Sequence, residues 1–434
     1  MLNKPLALSA EFQGALQAFE HSDNHIFVTG RAGTGKSTLL NLFRNTTKQK
    51  VVVLAPTGIA ALNVKGQTIH SFFGFPPRII DMHELKIRRS KQLFRKLDII
   101  IIDEISMVRA DIIDNIDIFL QRIRDSSEPF GGVKMIFFGD MFQLPPVVAS
   151  PTERAYFRDR YESPYFFSSD VINYSVDLEV VELNKVYRQD DKFFIRLLDN
   201  IRTHHFDEDD LESLNQRVCP PDPELNYITL TSRNDTAFKI NQSALNKIDM
   251  PPTFFNAIVT GEFNPKLYPT EASLQLRLGA QVMFVKNDPE KEKQFVNGTI
   301  GKIVALDSKE LKVQIRNDQG ETSIINVEPL EWEILRYALE SEDKSKIKSK
   351  VIGTFKQYPV KLAWAITIHK SQGKSFNHVI IDLGRGAFES GQTYVALSRC
   401  RKLEGIVLQN KLTPRDIIVD PRIVEFSEQL RYNS

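Results

Sequence analysis

The stretch HIFVTGRAGTGKSTLLNLFRN (25–45) constrains the fold of this 434-residue chain more than any other. A short apolar run leads into GRAGTGKS (30–37), which has the form G-x-x-x-x-G-K-[ST], and a helical run follows at once. That order is the context a phosphate-binding loop requires. Gly33 and Gly35 let the backbone curl until its N–H groups face phosphate oxygens. A helix starting near Lys36 adds the positive end of its dipole. Lys36 is expected at the β- and γ-phosphates and Ser37 at Mg2+, with Thr34 and Thr38 in the same nucleotide cradle.

Such a loop sits on a parallel sheet, and the neighbouring sequence supplies one. VVVLAP (51–56), DIIII (98–102) and KMIFFG (134–139) join HIFVTG (25–30) as continuous apolar runs. Strands buried on both faces have this texture. KSTLLNLFRN (36–45) and ADIIDNIDIFLQRIR (110–124) have helical spacing, and the second reads as a helix packed on the sheet. Repeated strand–helix units predict an α/β fold with ligands at the carboxyl ends of the strands. A second α/β region begins near 186 and resumes after 355, with NYITL (226–230), HVIID (378–382) and GIVLQ (405–409). Between its halves, AQVMFV, TIGKIVAL, ELKVQIR and ETSIINV fall within 278–330. Turn signals at Asn297-Gly298 and Asn317-Asp318-Gln319-Gly320 make this a small antiparallel β-barrel. EDKSKIKSKV (342–351) reads as a solvated linker, with a nucleic-acid patch as the alternative.

Composition narrows the class. The length predicts roughly two to four domains. An apolar share of 42% and a charged share of 26% are the balance of a soluble globular protein. No apolar run approaches the roughly 18 residues that span a bilayer. The start, MLNKPLALSAEF, lacks a signal-peptide layout, and Cys219 and Cys400 as lone thiols suit a reducing compartment. With 56 basic and 55 acidic residues the net charge is +1, which counts mildly against a nucleic-acid binder. It leaves room for a local basic groove.

Two further motifs complete a hydrolytic set. IIIIDEIS (99–106) buries four isoleucines and releases Asp103 and Glu104 at its end. Asp103 is expected to hold Mg2+, and Glu104 to orient and deprotonate the attacking water. The adjacent glutamate favours ATP over the chemistry of a GTPase switch. In FFGDMFQLPPV (137–147), Asp140 and Gln143 leave a third buried strand. Gln143 is a candidate sensor of the γ-phosphate, and a polar turn before Pro145-Pro146 is its structural alternative.

The ordered set of motifs resembles the petite-integration-frequency family of DNA helicases, in the 5′→3′ group of superfamily 1 and close to RecD. GRAGTGKST (30–38), APTGIAALNVKGQTIHSFFG (55–74), IIDEISM (101–107), GDMFQLPPV (139–147) and LNKVYRQ (183–189) carry it. TSRNDTAFKIN (231–241), NGTIG (297–301), AWAITIHKSQGKSF (363–376) and YVALSRCR (394–401) continue it in the family's order across nearly the whole chain. The resemblance implies two RecA-like P-loop motor domains, the first spanning 1–63 and 80–185 with a wedge insertion at 64–79. The second spans 186–245 and 355–434, and 246–354 is an insertion carrying an SH3-like barrel. ATP and Mg2+ are the implied cofactors. Arg188 would face the γ-phosphate and Arg399 would be the arginine finger, both with transition-state roles. The family's adenine-reading L-S-x-E-Q is LSAEFQ (8–13) here, with Phe12 in the glutamine's place and Gln13 one residue later as the candidate. Ser375 stands where threonine is more usual.

The resemblance also implies a single-stranded DNA track. Thr57 and Gly58 end a strand of the first domain, and His70 and Phe72 lie in the aromatic and basic segment NVKGQTIHSFFGFPPR (63–78). Bases stack and phosphates need donors on such a surface. A mini-core under the loop is the other reading of Phe72, Phe73 and Phe75. Arg233, Asn234, Thr367, His369 and Lys370 are backbone-contact candidates in the second domain. Ala363–Ile368 would be a buried strand, with Gly373 turning the chain towards ATP. The expectation is a compact, bacterial-type, cytoplasmic and nucleoid-associated monomeric motor. Its DNA would be single-stranded, forked or G-quadruplex, with RNA–DNA hybrids as further substrates. A single-stranded-DNA-binding protein or replication proteins would be its partners. A RecD-like motor subunit of a nuclease complex and a nucleotide-gated clamp are the rival readings.

Overall fold

The computed structural model describes residues 8–80, 91–148, 150–290, 294–316, 320–340 and 346–432. Its contacts divide into two compact units. The first comprises Met1–Tyr187, Leu335–Val351 and Asp420–Ser434, and the second Arg188–Ile334 and Ile352–Val419. The turn expected at Asn317-Asp318-Gln319 and the start of the 342–351 linker lie outside the described residues.

The first unit is built on six parallel strands: β1 (His25–Gly30), β2 (Val51–Ala55), β3 (Gln67–Thr68), β4 (Ile99–Ile102), β5 (Lys134–Phe138) and β6 (Leu178–Leu183). Their order is β3-β2-β4-β5-β1-β6. All four isoleucines of β4 are fully buried. Each such side chain contributes about 1.5–3 kcal/mol when removed from water. Strand residues alternate between faces. Ile26 and Val28 pack with Phe12, Phe19, Leu39 and Phe43 from helices α1 (Ala10–His21) and α2 (Lys36–Thr46). Phe27 turns the other way, to Phe166 at 5.4 Å and Phe426 at 6.1 Å between ring centroids. Phe426 also stacks on Phe167 at 4.2 Å.

Phe426 lies on the helix Pro421–Tyr432, so that helix completes the first unit's core. This corrects the expectation that 355–434 belongs wholly to the second domain. Residues 335–351 also group with the first unit, although the sequence places them inside the insertion. Tyr337 explains why: its hydroxyl accepts from Val53 N at 3.0 Å and its N–H donates to Gln67 Oε1 at 3.3 Å. Ile347–Gln357 is a strand, so the end of the expected linker is ordered sheet.

The second unit has its own parallel sheet, in the order Ala365–Thr367, Ile228–Thr231, Val379–Asp382, Ile406–Leu408. The strand before the insertion is flanked by strands that follow it. The inserted antiparallel sheet has five strands, in the order Thr322–Asn326, Leu311–Arg316, Ile300–Leu306, Gln281–Phe284, Val360–Leu362. Its fifth strand comes from beyond the expected 278–330 limits. Phe284 and Phe295 stack inside it at 4.0 Å.

Candidate active site

Strand order assembles the site in the first unit. β4, β5 and β1 are neighbours, and Asp103, Asp140 and the glycine-rich loop leave their carboxyl ends. Gly30 closes β1 with φ 143°, and a Cβ there would lie 2.4 Å from Leu183 O of β6. Gly35 caps α2 with φ 88°, and its Cβ would meet Phe12 Cζ at 3.0 Å. Only glycine tolerates both demands. Lys36 Nζ donates to Gly30 O at 2.6 Å and Arg31 O at 3.0 Å, which holds its charge over the loop. Thr34 is buried and donates to Arg31 O at 3.0 Å. Ser37 and Thr38 lie exposed in the first turn of α2, and Gly33 shares the loop with φ 86°.

Asp103 is buried, and its N–H donates to Leu54 O at 2.9 Å. Burial first, and then the charge of Glu104, push its carboxyl up to about 7. A hydrogen bond from the Glu104 backbone and the charge of Lys36 oppose that rise. The Asp103 carboxyl and the Ser37 hydroxyl are both oxygen donors, the kind Mg2+ takes. Glu104 follows in the left-handed region, φ 52° and ψ 47°. A residue with a Cβ pays about 1–2 kcal/mol there. Strain of this kind gathers at functional sites. Gln143 is buried, and its Nε2 donates to Asp140 Oδ2 at 3.3 Å. Asp140 Oδ1 accepts from Phe142 N, so Asp140 sets the position of the glutamine.

In the second unit, Arg188 and Gln189 meet YVALSRCR. Arg188 Nη1 donates to Ser398 O at 3.1 Å. Gln189 Nε2 donates to Ser398 O at 3.2 Å and Cys400 O at 2.9 Å. Arg399 is 1% exposed; its Nε donates to Val395 O at 2.9 Å and its Nη2 to Ser398 Oγ at 2.8 Å.

The DNA candidates separate into exposed and buried groups. Thr57 is exposed and caps the helix Gly58–Asn63, accepting from Ala60 N at 3.2 Å. Arg233 and Asn234 are exposed at the start of the helix Asn234–Asn246, with the Arg233 guanidinium 6.0 Å from the Phe388 ring. Thr367 is buried at the end of its strand and caps Ile368–Ser371, accepting from Lys370 N at 3.4 Å. The strand is Ala365–Thr367, shorter than expected, because the chain turns helical at Ile368. His369 Nε2 lies 3.3 Å from Glu389 Oε2, and Lys370 is exposed. Gly373 has φ 73° and open space where a Cβ would lie.

Phe72 is 1% exposed and has no face for a base. Its ring sits 5.0 Å from Phe73, 5.1 Å from Phe94 and 5.9 Å from Tyr337. Phe73 and Phe75 are buried with it, against Phe119 at 5.3 and 5.8 Å. This corrects the placement of Phe72 on the DNA track: the aromatic triplet is a mini-core. His70 is half-buried, and burial first, then Arg109, hold its imidazole below the usual range.

The chain as a whole is similar to known proteins. A profile of the PIF1-like helicase family matches residues 9–210. The ATP-dependent DNA helicase Pif1 of Bdellovibrio bacteriovorus is 33% identical over 98% of this chain and 92% of its own. The chain belongs to the PIF1-like helicase family. The human ATP-dependent DNA helicase PIF1 is 32% identical over 98% of this chain, which spans 64% of the human protein. The crystal structure of Bacteroides sp Pif1 with ADP-AlF4 matches at TM-score 0.90 and 36% identity, covering 98% of both chains. Bacteroides Pif1 bound to ssDNA matches at 0.69 and 37% identity, over 98% of this chain and 97% of that one.

Within this PIF1-like helicase, the sequence reading missed two rings at the loop. Tyr187 is exposed, its N–H donates to Gly33 O at 2.9 Å, and its Cδ2 lies 3.8 Å from the Gly35 Cβ position. Phe12 flanks the same glycine and belongs to the core. Phe12, Ala15 and Phe19 are the buried residues of α1, a helical spacing that was legible. Gln13 lies on the exposed face, with Nε2 3.3 Å from Leu8 O.

Proposed function

We propose that this PIF1-like helicase hydrolyses ATP at the loop of its first unit, moves 5′→3′ along single-stranded DNA and separates duplex ahead of it. The convergence of Lys36, Asp103, Glu104 and Gln143 on the carboxyl ends of three neighbouring strands carries this reading. Lys36 binds the β- and γ-phosphates. Glu104 orients the attacking water and takes its proton, and Gln143 registers the γ-phosphate. Ser37 and Asp103 would hold Mg2+, which neutralises phosphate charge when bound. Arg188 and Arg399 stabilise charge on the transferring group. For that task the Arg399 guanidinium leaves Val395 O and Ser398 Oγ, so turnover includes a rearrangement of the second unit. Tyr187 offers its exposed ring to the adenine, with Gln13 nearby in sequence to the cap of α1.

On the DNA side, Thr57, Gly58, His70, Arg233, Asn234, Thr367, His369 and Lys370 bind phosphates, and the buried rings stiffen the segment that carries His70. Binding of this type is sequence-tolerant and salt-sensitive. No helix among the described residues is long and apolar enough to cross a membrane. The reading places the protein with the nucleoid in the cytoplasm, on forked and G-quadruplex DNA and beside a single-stranded-DNA-binding protein. Strand displacement on forks with either a 5′ or a 3′ tail, with and without ATP and Mg2+, tests it. Release only from the 5′-tailed fork is expected, and release only from the 3′-tailed fork overturns the polarity.

A further inference from the structure

The second unit keeps one lysine buried and another half-buried, with little to neutralise them. Lys374 is buried, although it directly follows the exposed Gly373. Its Nζ donates to Asn297 Oδ1 at 2.6 Å. Asn297 sits in the turn of the inserted antiparallel sheet, where its N–H donates to Asn287 Oδ1 at 2.8 Å. A Cβ on Gly298 would lie 3.5 Å from Ser375 O and 3.6 Å from Lys374 Cβ, so the turn rests against the base of the lysine side chain. Lys361 is half-buried on the strand Val360–Leu362, opposite Met283. Its charge acts on Lys374, and the charge of exposed Lys370 acts on Lys361. The three lysines are thus close enough for their charges to act on one another, from exposed Lys370 through half-buried Lys361 to buried Lys374.

Among the described residues, neither Lys361 nor Lys374 has an ion-pair partner. Glu271 is the acidic group whose charge favours protonated Lys361, and Glu389 is engaged by His369. Buried cations are ordinarily paired. Asn297 also keeps an amide N–H2 that could donate to an anion.

We propose that Lys361, Lys374 and Asn297 form a notch for a phosphate of the single-stranded DNA backbone, with Lys370 at its mouth. The proposal rests on the reading that this chain binds single-stranded DNA. It adds to the motor's phosphate grips a contact supplied jointly by the inserted sheet. Burial, and then the neighbouring lysine, pull the Lys374 ammonium down to about 7 and the Lys361 ammonium to about 8. A phosphate anion in the notch raises both values, so binding takes up a proton at pH 7.5 and weakens as pH rises through this range.

The test measures binding of an oligothymidylate by fluorescence anisotropy across salt concentration, together with calorimetry in two buffers of different ionisation heat. Wild type should take up protons. Lys374→Met should lose most of that uptake, flatten the log–log salt slope by about 0.7 and weaken binding roughly tenfold. Lys361→Met should do the same, which keeps the test informative if one variant fails to fold. Single methylphosphonate linkages, scanned along the strand, should reveal one position that weakens wild type and leaves Lys374→Met unaffected. Wild-type binding without proton uptake, or a wild-type salt slope in both variants, overturns the notch while leaving DNA binding intact. Failure of wild type to bind single-stranded DNA removes the functional reading itself. Inorganic phosphate forms the other arm. If it shifts wild-type melting in a Lys374-dependent way while DNA binding ignores the lysine, the notch is a free-anion site and the DNA assignment falls.

Discussion

The two units hold their candidate groups in different ways. In the first, Asp103, Glu104 and Gln143 leave adjacent strands of a six-stranded sheet, and Lys36 is fastened to the loop it serves. In the second, Arg188 and Arg399 are fastened to that unit's own Ser398 and Val395. On the proposed function, fixing the carboxylates costs no motion, whereas recruiting the arginines requires bonds to break. On that reading the first unit stores the chemistry and the second stores the switch. The two helix-capping threonines show the same contrast. Thr57 is exposed in the first unit and Thr367 buried in the second, although each stands at the carboxyl end of a parallel strand.

The sharpest way to break this comparison is kinetic. Glu104→Gln should lower ATP turnover by about 10³-fold or more while nucleotide binding persists, since a positioned base is worth roughly 10²–10⁴. Arg399→Ala should lower kcat by at least about 10²-fold with nucleotide affinity nearly intact. Steady-state ATPase and equilibrium nucleotide binding check both; a loss confined to affinity would make Arg399 a binding residue. Next in size is Phe72→Ala, which should cost about 3–5 kcal/mol of stability as a buried ring. A fully stable variant with defective DNA binding would return Phe72 to the track.

The pH response sharpens the comparison further. His25 Nδ1 accepts from Met135 N at 3.0 Å, and burial, then Lys134, pull its pKa down to about 4. The unfolded chain binds the extra proton between about 6.5 and 4, so this contribution is complete above 6.5 and lost as pH falls towards 4. It amounts to about 2–3 kcal/mol after allowance for partial burial. Thermal melts at pH 5 and 7.5 should therefore differ less in His25→Gln than in wild type. The smallest effect separates the threonines. Each Ala substitution should cost about 1 kcal/mol as a lost cap. Thr57→Ala should in addition weaken single-stranded DNA binding more than Thr367→Ala does, and equal losses of affinity in both would erase the distinction drawn from exposure.

Much of this was legible from residues in a row. Four continuous apolar runs became β1, β2, β4 and β5, and the loop between β1 and α2 carries its chemistry in sequence order. The helix over 110–124 was read with its limits. What escaped depends on distant partners. Phe72 and Phe73 look alike as base-stacking platform and as core until Phe94 and Phe119 are seen against them. Tyr337 joins the first unit through Val53 and Gln67, far away in the chain. Lys374 meets Asn297 only because the inserted sheet folds back onto it, far along the chain.

Phe426 has a consequence for biosynthesis. It covers Phe27 and Phe167 on one face of the ATPase sheet, yet the helix that carries it follows the whole second unit in the chain. Domains commonly fold in the order in which the ribosome delivers them. Here the N-terminal sheet waits with an apolar face open until residues 420–432 emerge, while every segment of the second unit is already made. The nascent chain thus carries a long-lived hydrophobic surface, and a stalled or truncated translation product would be a client for chaperones and proteases rather than a partial enzyme.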